Sequence, residues 1–272
     1  MNEGVQKYVD RARQQLAERG RYINEEVKKW RFDTIAVHGA YSVKEAIENN
    51  QGSIIEPIYM STSQAFRDSD EMEAALAYLI PAWTYSRIHN PSIGYLEDTL
   101  ALLDGYGFDG DTGCCTTSSG MAAIASATDA LLARRKDRPN EKVNFVSNAQ
   151  IYGGTFQQFN IRKMQERGIE CRWVVDPNNI DDWASRIDDG TRFLFGELPS
   201  NPGLAFFDLR KVVDLAHEKG IPAIFDATIA TPALLRPIQH GADIVIHSVT
   251  KTLTASGFGM AGAVIARKNI VA

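Results

Sequence analysis

Three places in the sequence set chemically active side chains beside apolar segments. Asp226 follows the apolar run IPAIF, and Lys251 follows the apolar run Ile244–Ile246 after a short polar stretch. The third place is the stretch 117–120, Thr-Ser-Ser-Gly, which precedes the helical sequence MAAIASATDALL. A charged group at the end of a buried strand is costly unless a partner or a ligand neutralises it. These positions are therefore candidates for a binding site.

Each place also has a purely structural interpretation. The serines before Gly120 suit a plain helix N-cap, and Asp226 suits the cap of a segment that starts near Thr231. The three places can also be interpreted together. A helix start is an anion site, Asp226 supplies a carboxylate and Lys251 supplies an amine. Pyridoxal 5'-phosphate needs such a set for its phosphate, its protonated ring nitrogen and its aldehyde. The separation of 25 positions between Asp226 and Lys251 fits one crossover unit, so adjacent strand ends are expected.

The elements that must position these side chains follow a repeated strand, turn and helix pattern from about residue 114 onward. The predicted strands are VNFVSN, CRWVVD, TRFLFGEL, IPAIFDA and ADIVIHS. The predicted helices between them include MAAIASATDALLARRK, IDDWASRID and LRKVVDLAHEKG. Apolar strands that alternate with amphipathic helices predict an α/β fold with a mainly parallel sheet flanked by helices. In such sheets ligands bind beyond the carboxyl ends of the strands.

The N-terminal part has a different organisation. Residues 3–19 carry apolar side chains at helical spacing and are predicted to be a helix that ends near Gly20. Residues 30–64 lack a clear period and are predicted to be an extended arm, and 68–79 to be a further helix. We therefore expect an N-terminal helix and arm over 1–60 and a large domain over 61–272.

Composition excludes several classes of function. The chain has 272 residues, a formal charge of −5 and a pI near 5.6, which is not the signature of a nucleic-acid binder. No apolar run is long enough for a bilayer, and the N-terminus lacks a signal-peptide core. With three cysteines and neither CxxC nor HExxH, neither a disulfide framework nor a metal site is expected. The expected location is cytoplasmic.

Five ordered motifs give the chain a resemblance to a known family. The stretches are YSRIHNPSIGYLEDTLALLDG, SSGMAAI, IYGGTFQQF, ELPSNPGLAFFDL and FDATIATPALLRPIQHGADIVIHSVTK. From about residue 34 onward the chain resembles the pyridoxal-phosphate enzymes of cysteine and methionine metabolism, such as cystathionine gamma-synthase, methionine gamma-lyase and O-acetylhomoserine sulfhydrylase. The resemblance implies a fold-type I enzyme whose C-terminal small domain is missing from this chain.

The resemblance implies a role for each residue that matches a motif. Lys251 would bond to the cofactor aldehyde and shuttle protons as a buried amine with a depressed pKa, Asp226 would pair with the ring nitrogen, and Tyr152 would stack on the ring. Asn201 would bond the ring hydroxyl. The remaining cofactor contacts of the same subunit, most of them to the phosphate, would come from Gly120, Met121, Ser248, Thr250 and Thr228.

Further residues are implied to act across a subunit boundary. Arg87 would bind the phosphate of a neighbouring subunit and Tyr85 would contact its substrate side, in a homo-oligomer of two dimers. A solvated loop remains the alternative for both, as a turn aromatic does for Tyr152. His247 is interpreted as a packed strand-end histidine, and Glu197 is left open between a supporting acid and an ordinary strand end.

Departures from the family pattern leave the reaction subtype open. His89 stands where the family has glycine, Ala227 where it has asparagine, and the small residues of TLTASGFGMAG follow Lys251. Gamma-replacement on an activated homoserine or sulfur amino acid is the leading expectation, and carbon–sulfur lyase activity is the alternative. A partial or non-catalytic subunit that needs a second chain, which would supply a substrate-carboxylate arginine, is the alternative from another class.

Overall fold

The computed structural model describes residues 2–133 and 141–271. The chain divides into two compact units, Met1–Leu102 and Leu103–Ala272. Within the described residues, no helix is both long enough and apolar enough to cross a bilayer. The domain division at residue 60 stays a prediction.

The first unit is helical. Its helices are α1 (Glu3–Glu25), α2 (Phe32–His38), α3 (Val43–Asn49), α4 (Ser69–Leu76) and α5 (Pro91–Asp104), of which the last continues into the second unit. Helix α1 starts where the Asn2 side chain accepts a hydrogen bond of 2.8 Å from the Val5 N–H. It buries Val5, Tyr8 and Val9 against Ala74 of α4. The predicted helix over 3–19 is confirmed, and it continues through Gly20 because one glycine weakens a helix without ending it.

The expectation of an extended arm over 30–64 is wrong in its first half, which contains α2 and α3. Helix α3 is specified locally, since Ser42 accepts a hydrogen bond of 3.0 Å from the Glu45 N–H and so caps the helix. Short helices of this kind escape a search for periodicity because seven residues span only two turns. The segment 54–62 does lack helix, and Ile54, Ile58 and Met60 are exposed there.

The second unit contains a seven-stranded sheet. Its strands are β1 (Thr112–Thr117), β2 (Asn144–Asn148), β3 (Glu170–Val174), β4 (Thr191–Glu197), β5 (Ala223–Asp226), β6 (Ile244–His247) and β7 (Gly262–Arg267). Their spatial order is β1-β7-β6-β5-β4-β2-β3. Strand β7 is antiparallel to both of its neighbours, and the other pairings are parallel. The predicted mainly parallel sheet and all five predicted strands are confirmed.

Helices of the second unit follow the strands. They are α6 (Gly120–Leu131), α7 (Gly153–Gln157), α8 (Ile180–Ala184), α9 (Leu209–Glu218), α10 (Thr231–Leu234) and α11 (Lys268–Val271). A π-helical stretch, Gln158–Gln165, continues α7. The predicted end of α6, residues 134–136, lies outside the described residues. Helix α8 ends earlier than predicted, at Ala184.

An aromatic core holds the sheet against α6 and α7. Phe145 of β2 stacks on Phe193 of β4 with ring centroids 4.8 Å apart, and Phe159 packs edge-on against Phe145 at the same distance. Each fully buried phenylalanine stabilises the fold by about 1.5–3 kcal/mol relative to an exposed one. This core fixes the carboxyl ends of the central strands at one edge of the sheet.

Candidate active site

Two buried acids end the central strands. Glu197 of β4 and Asp226 of β5 are register partners and are only 3% and 7% exposed. Their side chains point to the same face of the sheet, because residues opposite each other in a parallel pair share a face. This places two carboxyl groups side by side at the carboxyl edge, where ligands of parallel sheets bind.

The carboxyl group of Asp226 is supported on one oxygen. Its Oδ1 accepts hydrogen bonds from the Thr228 N–H at 3.0 Å and the Thr228 hydroxyl at 2.6 Å. Among the described residues, none donates a hydrogen bond to Oδ2. Burial raises the pKa of Asp226, and the two bonds from Thr228 counteract part of that rise. A cationic group at Oδ2 would remove the cost of ionising this acid.

Thr228 joins Asp226 to the segment that carries the lysine. The Thr228 hydroxyl donates to Asp226 and accepts a hydrogen bond of 2.7 Å from the Ser248 N–H. The carbonyl of Ser248 in turn accepts from the Lys251 N–H at 3.1 Å. The structure thus connects four of the residues singled out in the sequence through consecutive hydrogen bonds.

The start of α6 lies against Ser248. Ser119 caps the helix, since its hydroxyl accepts a hydrogen bond of 3.1 Å from the Ala122 N–H. A Cβ atom on Gly120 would lie 2.6 Å from the Cβ of Ser248 and 2.9 Å from its Cα, so only glycine allows this approach. Gly120 and Met121 occupy the first turn, where the helix offers their N–H groups no acceptor. This helix start can therefore receive an anion beside the Ser248 hydroxyl.

Tyr152 stands at the start of α7 and is about half exposed. Its ring and the sulfur of Met121 both border Gly154, where an added Cβ would lie 2.5 Å from Tyr152 Cε1 and 3.2 Å from Met121 Sδ. The Tyr152 N–H donates a hydrogen bond of 2.7 Å to Oε2 of Glu197. The structure thus brings Tyr152 together with the α6 start and with the strand-end acids.

Glu197 also holds the turn that follows β4. Its Oε1 accepts a hydrogen bond of 2.7 Å from the N–H of Asn201, whose own side chain is exposed. Burial and the charge of Asp226 raise the pKa of Glu197 to about 7, against the lowering effect of the Tyr152 and Asn201 N–H groups. The sequence signal for this residue was an acid at the end of the apolar strand TRFLFGE, but that signal does not reveal what the acid binds.

Lys251 differs from its expectation in one respect. The expected buried amine is wrong, because Lys251 is exposed and lies at the end of a turn that its own N–H closes by donating to the Ser248 carbonyl. Thr250 closes the loop that comes after it, where the Ala261 N–H donates a hydrogen bond of 3.0 Å to the Thr250 hydroxyl. The residues between Thr250 and Ala261 form a largely exposed loop, and Phe258 of this loop is exposed.

Tyr85 and Arg87 belong to the first unit. The Arg87 guanidinium lies over the Tyr85 ring, 5.1 Å from its centroid, and the backbone of Tyr85 forms a bridge with Ser63. The pair is therefore ordered within its own unit, and its assignment to a cofactor site stays a prediction.

His247 forms a buried pair with Asp104. Its Nε2 lies 3.0 Å from Asp104 Oδ2, and both side chains are fully buried. Burial opposes protonation, but the Asp104 carboxylate outweighs it and raises the pKa of His247 above its usual value. Because Asp226 is opposite Ile246, His247 points to the other face of the sheet. Across residues 2–133 and 141–271, no cluster of three or more His, Cys, Asp or Glu could hold a metal.

Comparison with known proteins decides the family of this arrangement. Residues 33–272 match the profile of the Cys/Met metabolism PLP-dependent enzymes. The chain belongs to this family. Members of the Cys/Met metabolism family that resemble it include O-acetyl-L-homoserine sulfhydrylase of Corynebacterium glutamicum, 30% identical over 90% of this chain and 52% of the relative. Homocysteine/cysteine synthase of Kluyveromyces lactis is 36% identical over 86% of this chain and 49% of the relative. L-methionine gamma-lyase of Pseudomonas deceptionensis is 33% identical over 91% and 58%.

Solved structures of the family share the architecture. A Campylobacter jejuni chain assigned as an O-acetylhomoserine (thiol)-lyase, with an N'-pyridoxyl-lysine-5'-monophosphate residue, has a TM-score of 0.76 and 33% identity over 89% of this chain and 55% of that one. The metB protein of Corynebacterium glutamicum has a TM-score of 0.75 and 28% identity over 89% and 57%. The chain therefore has the fold-type I α/β architecture and spans about half the length of the relatives that it matches.

Proposed function

We propose that this chain binds pyridoxal 5'-phosphate at the carboxyl ends of β4, β5 and β6 and serves the chemistry of sulfur amino acids. The observation that carries the proposal is the continuous link from Asp226 through Thr228 to Ser248, which packs on Gly120. That link joins a carboxylate to a helix start by way of the segment that bears Lys251. The carboxylate, the helix start and the lysine amine are the three groups that the cofactor requires.

The described side chains fit the cofactor. The Gly120 and Met121 N–H groups and the Ser248 hydroxyl are suited to the phosphate, and Oδ2 of Asp226 is suited to a protonated ring nitrogen. Thr228 is proposed to orient Asp226, because its hydroxyl already bonds Asp226 and Ser248. Thr250 closes the adjoining loop, and its hydroxyl, which now bonds the carbonyl and the N–H of Ala261, is proposed to turn to the phosphate when the cofactor binds.

The ring face and the reacting centre involve other residues. Tyr152 offers an aromatic face to a flat ring, and Asn201 an amide to the ring hydroxyl. Bound pyridoxal phosphate supplies an electron sink for the charge left when a proton departs from the substrate Cα. The Lys251 amine is proposed to hold the cofactor and then to remove and return that proton.

Gamma-replacement is the reaction that we propose first, on an activated homoserine or a sulfur amino acid. Relatives named as sulfhydrylases and as homocysteine/cysteine synthase support this choice, and a relative named as a methionine gamma-lyase supports elimination as the alternative. The assembly that we propose is a cytoplasmic homo-oligomer of two dimers. In it Tyr85 and Arg87 serve a neighbouring copy's site, and a separate C-terminal-domain chain is the alternative partner.

A labelling experiment tests cofactor binding. The chain is incubated with pyridoxal phosphate, treated with borohydride to fix any imine, and digested for mass analysis. We expect the pyridoxyl group on Lys251, loss of the label in Lys251→Ala, and retention in Lys219→Ala, whose lysine is exposed at the end of α9. A label spread evenly over surface lysines would contradict the proposal.

Product analysis tests the reaction. With O-acetylhomoserine and sulfide, gamma-replacement yields homocysteine and acetate. A lyase acting on methionine and water instead releases methanethiol, ammonia and a 2-oxo acid. We expect homocysteine as the main product. A chain that carries the label on Lys251 but responds to no amino acid would support the alternative of a partial subunit that depends on a second chain.

A further inference from the structure

One side chain, Glu197, connects two segments that are distant in sequence. Its Oε2 accepts the Tyr152 N–H and its Oε1 accepts the Asn201 N–H, both at 2.7 Å. The first donor begins α7, and the second belongs to the turn after β4. Tyr152 and Asn201 are also the two residues that we propose as contacts of the cofactor ring.

The backbone that carries the Glu197 side chain is itself fixed by hydrogen bonds. The Glu197 N–H donates a hydrogen bond of 3.1 Å to Oδ1 of Asn148, which is almost fully buried and donates through Nδ2 to the Gln150 carbonyl at 2.6 Å. The next residue, Leu198, donates its N–H to the Asp226 carbonyl at 3.0 Å. Because the backbone N–H groups of Glu197 and Leu198 are both held, the buried carboxyl group in turn fixes the groups that its oxygens bind.

An acid at this position is costly, which argues for a purpose beyond packing. Glu197 and Asp226 are adjacent buried carboxyl groups, and their charges repel each other. An amide of the same shape would avoid that repulsion, but its NH₂ group would face a donor and only one of the two N–H groups would keep an acceptor. Only a carboxyl group accepts both N–H groups with one side chain of this length.

We propose that Glu197 is a positioning residue that sets the Tyr152 ring and the Asn201 side chain against the cofactor by holding both backbone N–H groups. This inference rests on the proposed binding of pyridoxal phosphate at the same edge of the sheet. Glu197 acts through its two partners and does not touch the cofactor.

The test compares cofactor affinity and optical activity in two acid-to-amide variants. Glu197→Gln is expected to raise the Kd for pyridoxal phosphate about tenfold, since one charge-assisted hydrogen bond is lost. It is also expected to reduce the visible circular dichroism of the bound cofactor, because the Tyr152 ring is less firmly oriented. The matched control is Glu170→Gln, at an exposed position of the edge strand β3, which should leave both readouts unchanged. Glu197→Asp, whose shorter acid cannot reach both donors, should weaken binding in the same direction.

A double-mutant comparison separates positioning from general support. In a Tyr152→Ala/Asn201→Ala background the partners have no side chain to position, so Glu197→Gln should change the Kd less than twofold. An equal loss of affinity in both backgrounds, or wild-type affinity of Glu197→Gln, would overturn the inference. If wild-type chain carries no pyridoxyl label on Lys251, the proposed function fails instead, so the two failures are distinguishable.

Discussion

At the scale of single residues, the adjacent acids Asp226 and Glu197 differ in how they are satisfied. Asp226 receives both of its hydrogen bonds on one oxygen from Thr228, whereas Glu197 uses both oxygens for backbone N–H groups. Burial raises the pKa of both acids. Asp226 therefore keeps an oxygen for an incoming cation, and Glu197 does not. The same pair thus contains one acid suited to a ligand and one suited to support.

We predict opposite effects of Asp226→Asn on stability and on cofactor affinity. Because the pKa of Asp226 is raised above 3.8, its contribution to stability is complete below that pH and is lost as the pH rises through the folded value. The asparagine variant lacks this loss, so without cofactor it should gain stability over the wild type as the pH rises. With cofactor it should bind about 10- to 100-fold more weakly, since a hydrogen bond to a charged group is lost.

Urea unfolding between about pH 4 and about pH 8, without cofactor, measures the first effect, and a spectroscopic titration with pyridoxal phosphate measures the second. Asp214→Asn on the exposed face of α9 is the control and should change neither. A stability difference that shrinks as the pH rises would contradict the raised pKa. An unchanged Kd would contradict the pairing with the ring nitrogen.

At the scale of elements, predictability followed burial. Strands β2 and β4 to β6 are buried at every residue, and each contains a short apolar run, which predicts a buried strand. Strand β1, TGCCTT, is half exposed and largely polar. Strand β7 was not predicted, because it follows the run of small residues after Lys251 without a clear boundary. Their antiparallel pairing could not be predicted, because it depends on contacts between distant segments.

The site was predictable to the same extent. The apolar pattern indicated the candidates Asp226, Lys251 and Gly120, because Asp226 ends β5, Gly120 begins α6 and Lys251 follows β6 after a short turn. The hydrogen bonds of Thr228 to Ser248 and of Glu197 to Tyr152 could not be predicted, because they join segments that are distant in sequence. The exposure of Lys251 could not be predicted either, because the burial of a single residue depends on how its loop is closed.

Two glycines at helix starts test how closely α6 must approach β6. A Cβ on Gly120 would lie 2.6 Å from the Cβ of Ser248, whereas a Cβ on Gly153 at the start of α7 meets nothing within 4 Å among the described residues. We predict that Gly120→Ala destabilises the chain by about 1–3 kcal/mol through overpacking and also weakens phosphate binding. Gly153→Ala should be neutral or slightly stabilising.

Chemical denaturation and inorganic-phosphate competition against pyridoxal phosphate provide the two measurements. If Gly120→Ala matched Gly153→Ala in both, the close approach of α6 to Ser248 would not be needed for the anion site. If only stability changed, the helix start would be a packing feature without a ligand.

At the scale of the whole molecule, apolar exposure is concentrated in the first unit. Ile54 and Met60 are both 92% exposed and Ile58 is 82% exposed, in a segment without regular structure. The segment is tied to the loop that carries Arg87, since the Ser86 N–H donates to the Thr62 carbonyl at 2.8 Å and Asn90 Nδ2 donates to the Tyr59 carbonyl at 3.0 Å. A neighbouring copy that covers this segment would therefore also fix the Arg87 loop.

We predict that Ile58→Glu weakens self-association and cofactor binding together. Burying an isoleucine at an interface contributes about 1.5–3 kcal/mol, and a buried unpaired carboxylate adds a desolvation cost, so the dissociation constant between copies should rise at least about tenfold. If Arg87 serves the neighbouring copy, the apparent affinity for pyridoxal phosphate should then fall at low protein concentration and recover at high concentration. Sedimentation velocity across a dilution series, with a cofactor titration at each concentration, measures both effects.

Val175→Glu is the control, because it adds the same charge at an exposed apolar position of the second unit, and it should leave both self-association and cofactor affinity unchanged. An Ile58→Glu chain that assembles normally would exclude this segment as the interface. One that dissociates but binds cofactor independently of concentration would show that each copy builds its phosphate site alone.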